Sequence, residues 1–187
     1  MPVLPAEPDV FPQSLFEDLT AGANGGREWW VLHTKPRQEK SVARHLHERE
    51  VPFYLPLIKK RWRSRHRPMT SYVPLFASYL FLYGSRDERL VALTSNRIVR
   101  TLDVVDQARL FADLHQVQRL IASGAPITPE DKLVPGATVQ IKSGPLAGLR
   151  GVILRTATGR RFVVQVDFIQ RGASVMLDDY TLERVVE

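Results

Sequence analysis

Phe53-Tyr54-Leu55-Pro56-Leu57-Ile58, then Lys59-Lys60-Arg61-Trp62-Arg63-Ser64-Arg65-His66-Arg67-Pro68, and after a short gap Pro74-Leu75-Phe76-Ala77-Ser78-Tyr79-Leu80-Phe81-Leu82-Tyr83, form the stretch on which the reading of this chain turns. The outer runs are rich in Ile, Tyr and Phe, the composition of buried strands. The middle is too densely charged to be buried. Two such runs around a polar, proline-containing segment read as a β-hairpin with its cations at the tip. Like charges crowded there repel one another, so a polyanion is their natural counterpart.

Side chains along a strand alternate between faces. Tyr79, Phe81 and Tyr83 therefore share one side, and Leu80 and Leu82 share the other. A strand built this way can bury its aliphatics and offer its aromatics to a partner. It can also be a central strand covered on both sides, apolar throughout. Periodicity alone leaves both readings open.

The chain has 187 residues, room for two small domains, and 44% hydrophobic content, enough for a packed core. It contains no run of about 18 apolar residues of the kind that spans a membrane. Met1 to Gly26 carries prolines and acids where a signal peptide needs a positive start and an apolar centre, so a cytoplasmic protein is expected. With no cysteine, disulfides and Cys-ligated zinc or iron–sulfur sites are excluded. The net charge of +6 is unevenly spread: residues 1–28 hold one cation and five anions, whereas Lys35 to Arg67 holds eleven cations and three anions. That asymmetry points to one face turned toward nucleic acid.

Residues 1–27, with Pro2, Pro5, Pro8, Pro12 and the run Ala21-Gly22-Ala23-Asn24-Gly25-Gly26, read as a flexible extension, although Phe11, Leu15, Phe16 and Leu19 have helical spacing. A strand over Trp29 to Thr34 leads to a helix from about Pro36 to Glu50, with Pro36 in its first turn and a narrow stripe of Val42, Ala43 and Leu46. The basic hairpin follows, then a helix from Arg86 to Ser95 and a strand from Ile98 to Val104. Strand, helix, hairpin, helix, strand is the split-βαβ or ferredoxin-like order. Leu110, Leu114, Val117 and Ile121 then mark a helix over residues 105–123 that can lie across this sheet.

The expected class is thus α+β: a ferredoxin-like domain over residues 28–123, a linker over 124–133, and a small SH3-like all-β barrel over 134–187. In the last segment short alternating strands are separated by Gly144, Pro145, Gly148, Gly159 and Gly172, and Asp178 and Asp179 suit a barrel turn. Gly144, Gly148, Gly151, Gly159 and Gly172 would each penalise a helix by roughly 1 kcal/mol and Pro145 by roughly 3, which predicts a segment that stays β.

No catalytic constellation is evident. His45 and His47 lie two apart on a helix and diverge, a poor metal pair, and no phosphate-binding glycine loop or nucleophile elbow occurs. Neither an enzyme, a cofactor nor a metal site is expected. Lys35, Arg37, Lys40, Arg44 and the hairpin cations Lys59, Lys60, Arg61, Arg63 and Arg65 read as phosphate contacts, which supply affinity and salt dependence but little sequence choice. Trp62 can stack on an unpaired base or anchor the hairpin.

Trp29-Trp30-Val31-Leu32, Pro56, Leu75-Phe76-Ala77-Ser78-Tyr79-Leu80-Phe81 and Arg97 resemble the amino-terminal domain of NusG-type transcription elongation factors. Pro135-Gly136 followed by Val139, Ile141 and Gly144-Pro145-Leu146-Ala147-Gly148-Leu149-Arg150-Gly151 resembles their carboxy-terminal KOW motif. The resemblance implies a non-enzymatic, monomeric factor, comparable with specialised RfaH-like members, that binds the clamp helices of RNA polymerase and upstream or non-template DNA and reduces pausing or termination. It implies clamp contacts at His33, His45, Phe76, Tyr79 and Phe81, and DNA contacts at Lys35 and Arg97. It also implies a KOW partner, ribosomal protein NusE or Rho, at Ile169-Gln170-Arg171, where family members carry Phe-Gly-Arg. The family's Pro-Gly after the Phe is replaced by Ala77-Ser78. A KOW-containing ribosomal or RNA-binding structural protein is the alternative.

Overall fold

The computed structural model describes residues 7–22, 25–64, 67–133, 135–177 and 182–184. The chain divides into two compact units, Met1–Gln107 and Ala108–Glu187. The first contains β1 (Val10–Phe11), α1 (Leu15–Thr20), β2 (Glu28–Thr34), α2 (Glu39–His47), β3 (Phe53–Tyr54), β4 (Leu57–Ser64), β5 (Arg67–Pro74), β6 (Tyr79–Gly84), α3 (Arg86–Leu93) and β7 (Ile98–Asp103). Five of these strands form one sheet in the order β1-β3-β6-β2-β7, every pair antiparallel.

Alternation along β2 and β6 builds the core. Trp30 and Leu32, with Leu80 and Leu82, meet Phe53 of β3, Val42, Ala43 and Leu46 of α2, and Ala92 of α3. The α2 stripe read from the sequence is therefore its buried face. α3 opens on a capping box in which Ser85 accepts from the Glu88 backbone and Glu88 accepts from the Ser85 backbone, an arrangement worth about 1 kcal/mol. α2 begins at Glu39, later than predicted, because Arg37 takes a left-handed φ of 61° and Gln38 N–H donates back to Lys35 in a turn.

The other side of the sheet is aromatic and covered. Phe16 of α1 packs 6.2 Å from Trp29 and 5.0 Å, edge-on, from Tyr54, and Trp29 lies 5.2 Å from Tyr83. Residues Leu80 to Tyr83 are buried whichever way they point, which is the central-strand reading, and only Tyr79 at the start of β6 is half-buried. The expectation of an uncovered surface at Phe76 and Phe81 is thereby corrected: they are 1% and 0% exposed, Phe76 meeting Phe81 edge-on at 6.4 Å. Burying a ring of this size gains roughly 1.5–3 kcal/mol, a strong incentive to seal it.

The flexible extension is corrected over residues 7–22. Val10 and Phe11 pair with Tyr54 and Phe53, extending the sheet beyond β3, and Leu55 N–H donates to Asp9 at 2.6 Å. Phe11 reaches the helix side, edge-on to His47 at 4.9 Å, while Glu7 pairs with Arg44. The segment thus wraps the sheet edge, Phe11 on one side and Phe16 on the other. Residues 1–6, 23 and 24 of the extension lie outside the described residues.

The basic hairpin is also corrected. Lys59, Lys60, Arg61, Arg63 and Arg67 are not on a turn: β4 and β5 pair with each other over eight residues, from Leu57↔Pro74 to Ser64↔Arg67, as a separate two-stranded sheet. The flanking apolar runs belong to β3 and β6 of the main sheet.

The second unit holds α4 (Gln107–Ala122), which starts at the last residue of the first, then β8 (Thr128–Glu130), β9 (Thr138–Ile141), β10 (Arg150–Thr156), β11 (Gly159–Val166), β12 (Arg171–Met176) and β13 (Leu182–Arg184). The strands form an antiparallel sheet ordered β13-β9-β10-β11-β12-β8. Two boundaries differ from those expected. Residues 128–130, read as linker, pair with β12, and Glu130 accepts from Ser174 and pairs with Arg161. The helix over 107–122 groups with the second unit, so the division falls at 107/108 in place of 123/124. Its polar side chains explain why: Arg109 pairs with Asp167, Gln116 accepts from Arg150 N–H at 2.6 Å, and Arg119 donates to Ala147 O at 2.6 Å. Val134, Asp178 and Asp179 lie outside the described residues.

Asp113 of α4 accepts from Asp167 N–H and pairs with Arg109 at 3.3 Å. Burial outweighs both and pushes its carboxyl up from 3.8 to about 6. A carboxyl raised on folding contributes most stability below its unfolded value, so the second unit is expected to lose stability as pH climbs from about 4 through 6, by roughly 1–3 kcal/mol. Asp113→Asn should flatten that dependence. All three tryptophans precede residue 108, so denaturation followed by far-UV circular dichroism, beside tryptophan fluorescence, isolates this unit. A wild-type profile level between pH 4 and 7 would contradict the assignment.

Candidate functional site

The predicted residues fall into four places. His33 of β2 and Tyr79 of β6 are cross-strand neighbours, their rings 5.3 Å apart and both half-buried. Arg100, exposed on β7, lies opposite His33, and His33 Nδ1 is buried with no hydrogen-bond partner. This pair, with the half-buried His45, forms the accessible part of the predicted protein-binding set. Phe76 and Phe81 pack beneath the surface, as described above. His45 is turned to α3, its Nε2 3.0 Å from Val91 O and 3.1 Å from Thr94 Oγ1, so it joins two helices.

Lys35 and Arg97 are brought together where β2 ends and β7 begins. Lys35 N–H donates to Arg97 O at 2.8 Å, and Lys35 Nζ donates to Asn96 O at 2.8 Å. Arg97 Nε donates to Gln38 Oε1 at 3.1 Å. Both side chains are exposed and carry their charge outward from a fixed backbone. Arg44, by contrast, is neutralised by Glu7.

The hairpin has two unlike faces. Pairing sets Lys59 opposite Tyr72, Arg61 opposite Thr70 and Arg63 opposite Pro68, while Lys60 faces Ser71 and Trp62 faces Met69. Strand alternation then gathers Lys59, Arg61 and Arg63 with Tyr72 on one side, and Lys60 with Trp62 and Met69 on the other. Trp62, Met69 and Tyr72 are 43%, 44% and 43% exposed. Arg65 lies outside the described residues. Between the root of this hairpin and the start of α2 runs a groove of about 490 Å³ lined by Pro36, Arg37, Lys40, Tyr72, Val73 and Pro74, among others. It joins Arg37 and Lys40 to the hairpin.

In the second unit, Ile169 ends a short 3-10 turn and is buried, Gln170 is exposed in the left-handed region, and Arg171 is half-buried. The exposed aromatic at this turn is Phe168. Phe168, Tyr72, Met69 and Arg100 were missed by sequence reasoning. For Tyr72 and Met69 the signal is the hairpin register, which no local pattern supplies. Among the described residues no cluster of His, Asp or Glu is arranged to hold a metal ion, and no helix is long and apolar enough to cross a membrane.

No curated protein sequence matches the chain. Among solved structures, the chain is similar to a structure described as "Domain interaction in Thermotoga maritima NusG", with a TM-score of 0.51 and 15% identity over 88% of this chain and all of that one. A weaker likeness, TM-score 0.29 and 11% identity over 85% of this chain and 99% of the other, is to a structure of an MjSpt4:Spt5 complex and is too low to bear on the fold. The family model described as "Transcription termination factor nusG" matches residues 27–132, more than half of the sequence. The protein belongs to the NusG family of transcription factors.

Proposed function

We propose that this protein is a non-enzymatic elongation factor that seats its first unit, a split-βαβ domain, on the clamp of RNA polymerase and lays its basic side along upstream or non-template DNA. The second unit is a KOW-type barrel. By spanning both partners the factor disfavours the open, paused enzyme through the binding energy that opening would forfeit, and so reduces pausing or termination. The observation that supports this most is the placement of exposed Lys35 and Arg97 beside the half-buried His33–Tyr79 pair, one at the end of β2 and the other along it. A cationic site thus lies just past the end of the strand that carries His33, near the small aromatic pair that His33 forms with Tyr79 of β6. A partner of the barrel would meet Phe168 and Arg171, since Ile169 is buried; ribosomal protein NusE or Rho fits the family pattern.

Transcription on pause-bearing templates, with and without the protein, tests this reading. Tyr79→Ala is the informative variant, because Tyr79 is accessible where Phe76 is sealed. It should weaken binding to core polymerase by roughly 5- to 30-fold, the range for a central aromatic in an interface, and raise by the same factor the concentration needed to shorten pauses. Unchanged pausing with the intact protein, or recovery of ribosomal RNA without polymerase from a lysate, would overturn it.

A further inference from the structure

We propose that the groove between the start of α2 and the root of the β4–β5 hairpin seats one unpaired base of a single nucleic-acid strand, with Tyr72 as its stacking platform; this rests on the nucleic-acid reading above. Its volume of about 490 Å³ falls within the range of small-ligand sites. Pro36, Val73 and Pro74 give it apolar walls, and the Tyr72 ring, 43% exposed, has no role in the core.

The surroundings choose the occupant. Arg37 and Lys40 line the groove, Lys59 stands across the hairpin from Tyr72, and Arg61 and Arg63 continue the same side of β4. Glu39, also in the lining, is buried and accepts from Ser78 N–H at 2.6 Å. An apolar slot rimmed by cations suits a ligand with a flat apolar body on an anionic chain. A base on its phosphodiester backbone is such a ligand, whereas an apolar peptide would leave the cations unanswered.

Strand geometry favours an unpaired strand over a duplex. Alternate residues on one side of β4 recur roughly every 6.5 Å, about twice the 3.4 Å rise per nucleotide of a stacked duplex strand. A stretched single strand can follow Lys59, Arg61 and Arg63 while its bases are free to leave the stack. In a duplex the base faces are occupied by their neighbours. Stacking on an aromatic ring is tolerant of base identity, so selection here is for unpaired strand, not for sequence.

Fluorescence anisotropy of the full-length protein tests this with labelled oligo(dT), oligo(U), an abasic strand of equal length and a duplex, each at several salt concentrations. Tyr72→Ala should weaken binding of one or both base-bearing single strands by about 5- to 100-fold, with the salt slope unchanged and with little effect on the abasic strand or duplex. Tyr72→Phe should keep affinity within about twofold. The ratio of oligo(dT) to oligo(U) tells which kind of strand is the better occupant. Loss spread equally over all probes, or none, would overturn the groove as a base site even if binding remains salt-dependent. Should no probe bind in a salt-dependent way, and a Lys59→Ala, Arg61→Ala, Arg63→Ala triple variant match the wild type, the nucleic-acid reading itself fails. Fluorescence of buried Trp29 and Trp30 verifies that each variant is folded.

Discussion

Phe16→Ala is expected to destabilise the first unit by about 3 kcal/mol or more, the usual cost of truncating a buried phenylalanine to alanine. Phe16 is 2% exposed and stands between Trp29 and Tyr54, so the deletion leaves a hole against two rigid rings attached to different strands. Those strands are fixed from their other side by the aliphatic core, which limits how far they can close the gap. The midpoint of thermal unfolding should fall by roughly 10 °C or more. Because Phe16 abuts Trp29, tryptophan fluorescence reads the change where it occurs. A loss below about 1 kcal/mol would mean that α1 contributes little to this unit, and that the wrapping of the sheet edge is incidental.

Gly151→Ala should be comparably severe in the second unit. A side-chain carbon at this position would lie 2.3 Å from the Val163 carbonyl oxygen and 2.9 Å from the Phe162 ring. The oxygen belongs to β11, which is paired with β10 over five residue pairs beginning at the next residue, Val152↔Val163, and with β12 on its other side, so it cannot retreat without opening the sheet. Overpacking in a core costs about 1–3 kcal/mol, and a clash with backbone belongs at the upper end or beyond. The gain of about 0.4–1 kcal/mol that alanine brings by restricting the unfolded chain is too small to offset it. Far-UV circular dichroism during denaturation, with tryptophan fluorescence as an internal control for the first unit, gives the answer. Wild-type stability would show that β10 and β11 are not packed as described.

These two positions also mark where sequence reading stops. The alternation in Tyr79 to Tyr83 was plain, but whether the aromatic side met solvent depended on what lay over it, and Phe16 sits more than sixty residues away in a segment that composition assigned to a flexible tail. Proline and glycine content outweighed the helical spacing of four apolar side chains, whose docking site exists only once β3, β6 and β2 are assembled in one sheet. Gly151 lies in the same glycine-rich run as Gly144 and Gly148. Gly144 and Gly148 do take positive φ of 85° and 86°, but Gly151 is needed for space, not for conformation. The order of the main-sheet strands and their helices from residue 28 to residue 104 was legible, because the apolar periods of α2 and β6 are local. The start of α2 was not, since the turn at Arg37 is held by hydrogen bonds. Likewise the cations of the hairpin were legible as a cluster, and their division into two faces was not, because it depends on register.

The pairing of β1 along β3 has a practical consequence for handling the molecule. Cutting the chain back at its front to residue 27, where the family match begins, would remove Val10 and Phe11 and bare the outer rim of β3 beside uncovered rings. Unpaired strand rims next to oily surface recruit strands from other molecules, so such a trimmed protein should precipitate or self-associate where the longer chain stays dispersed.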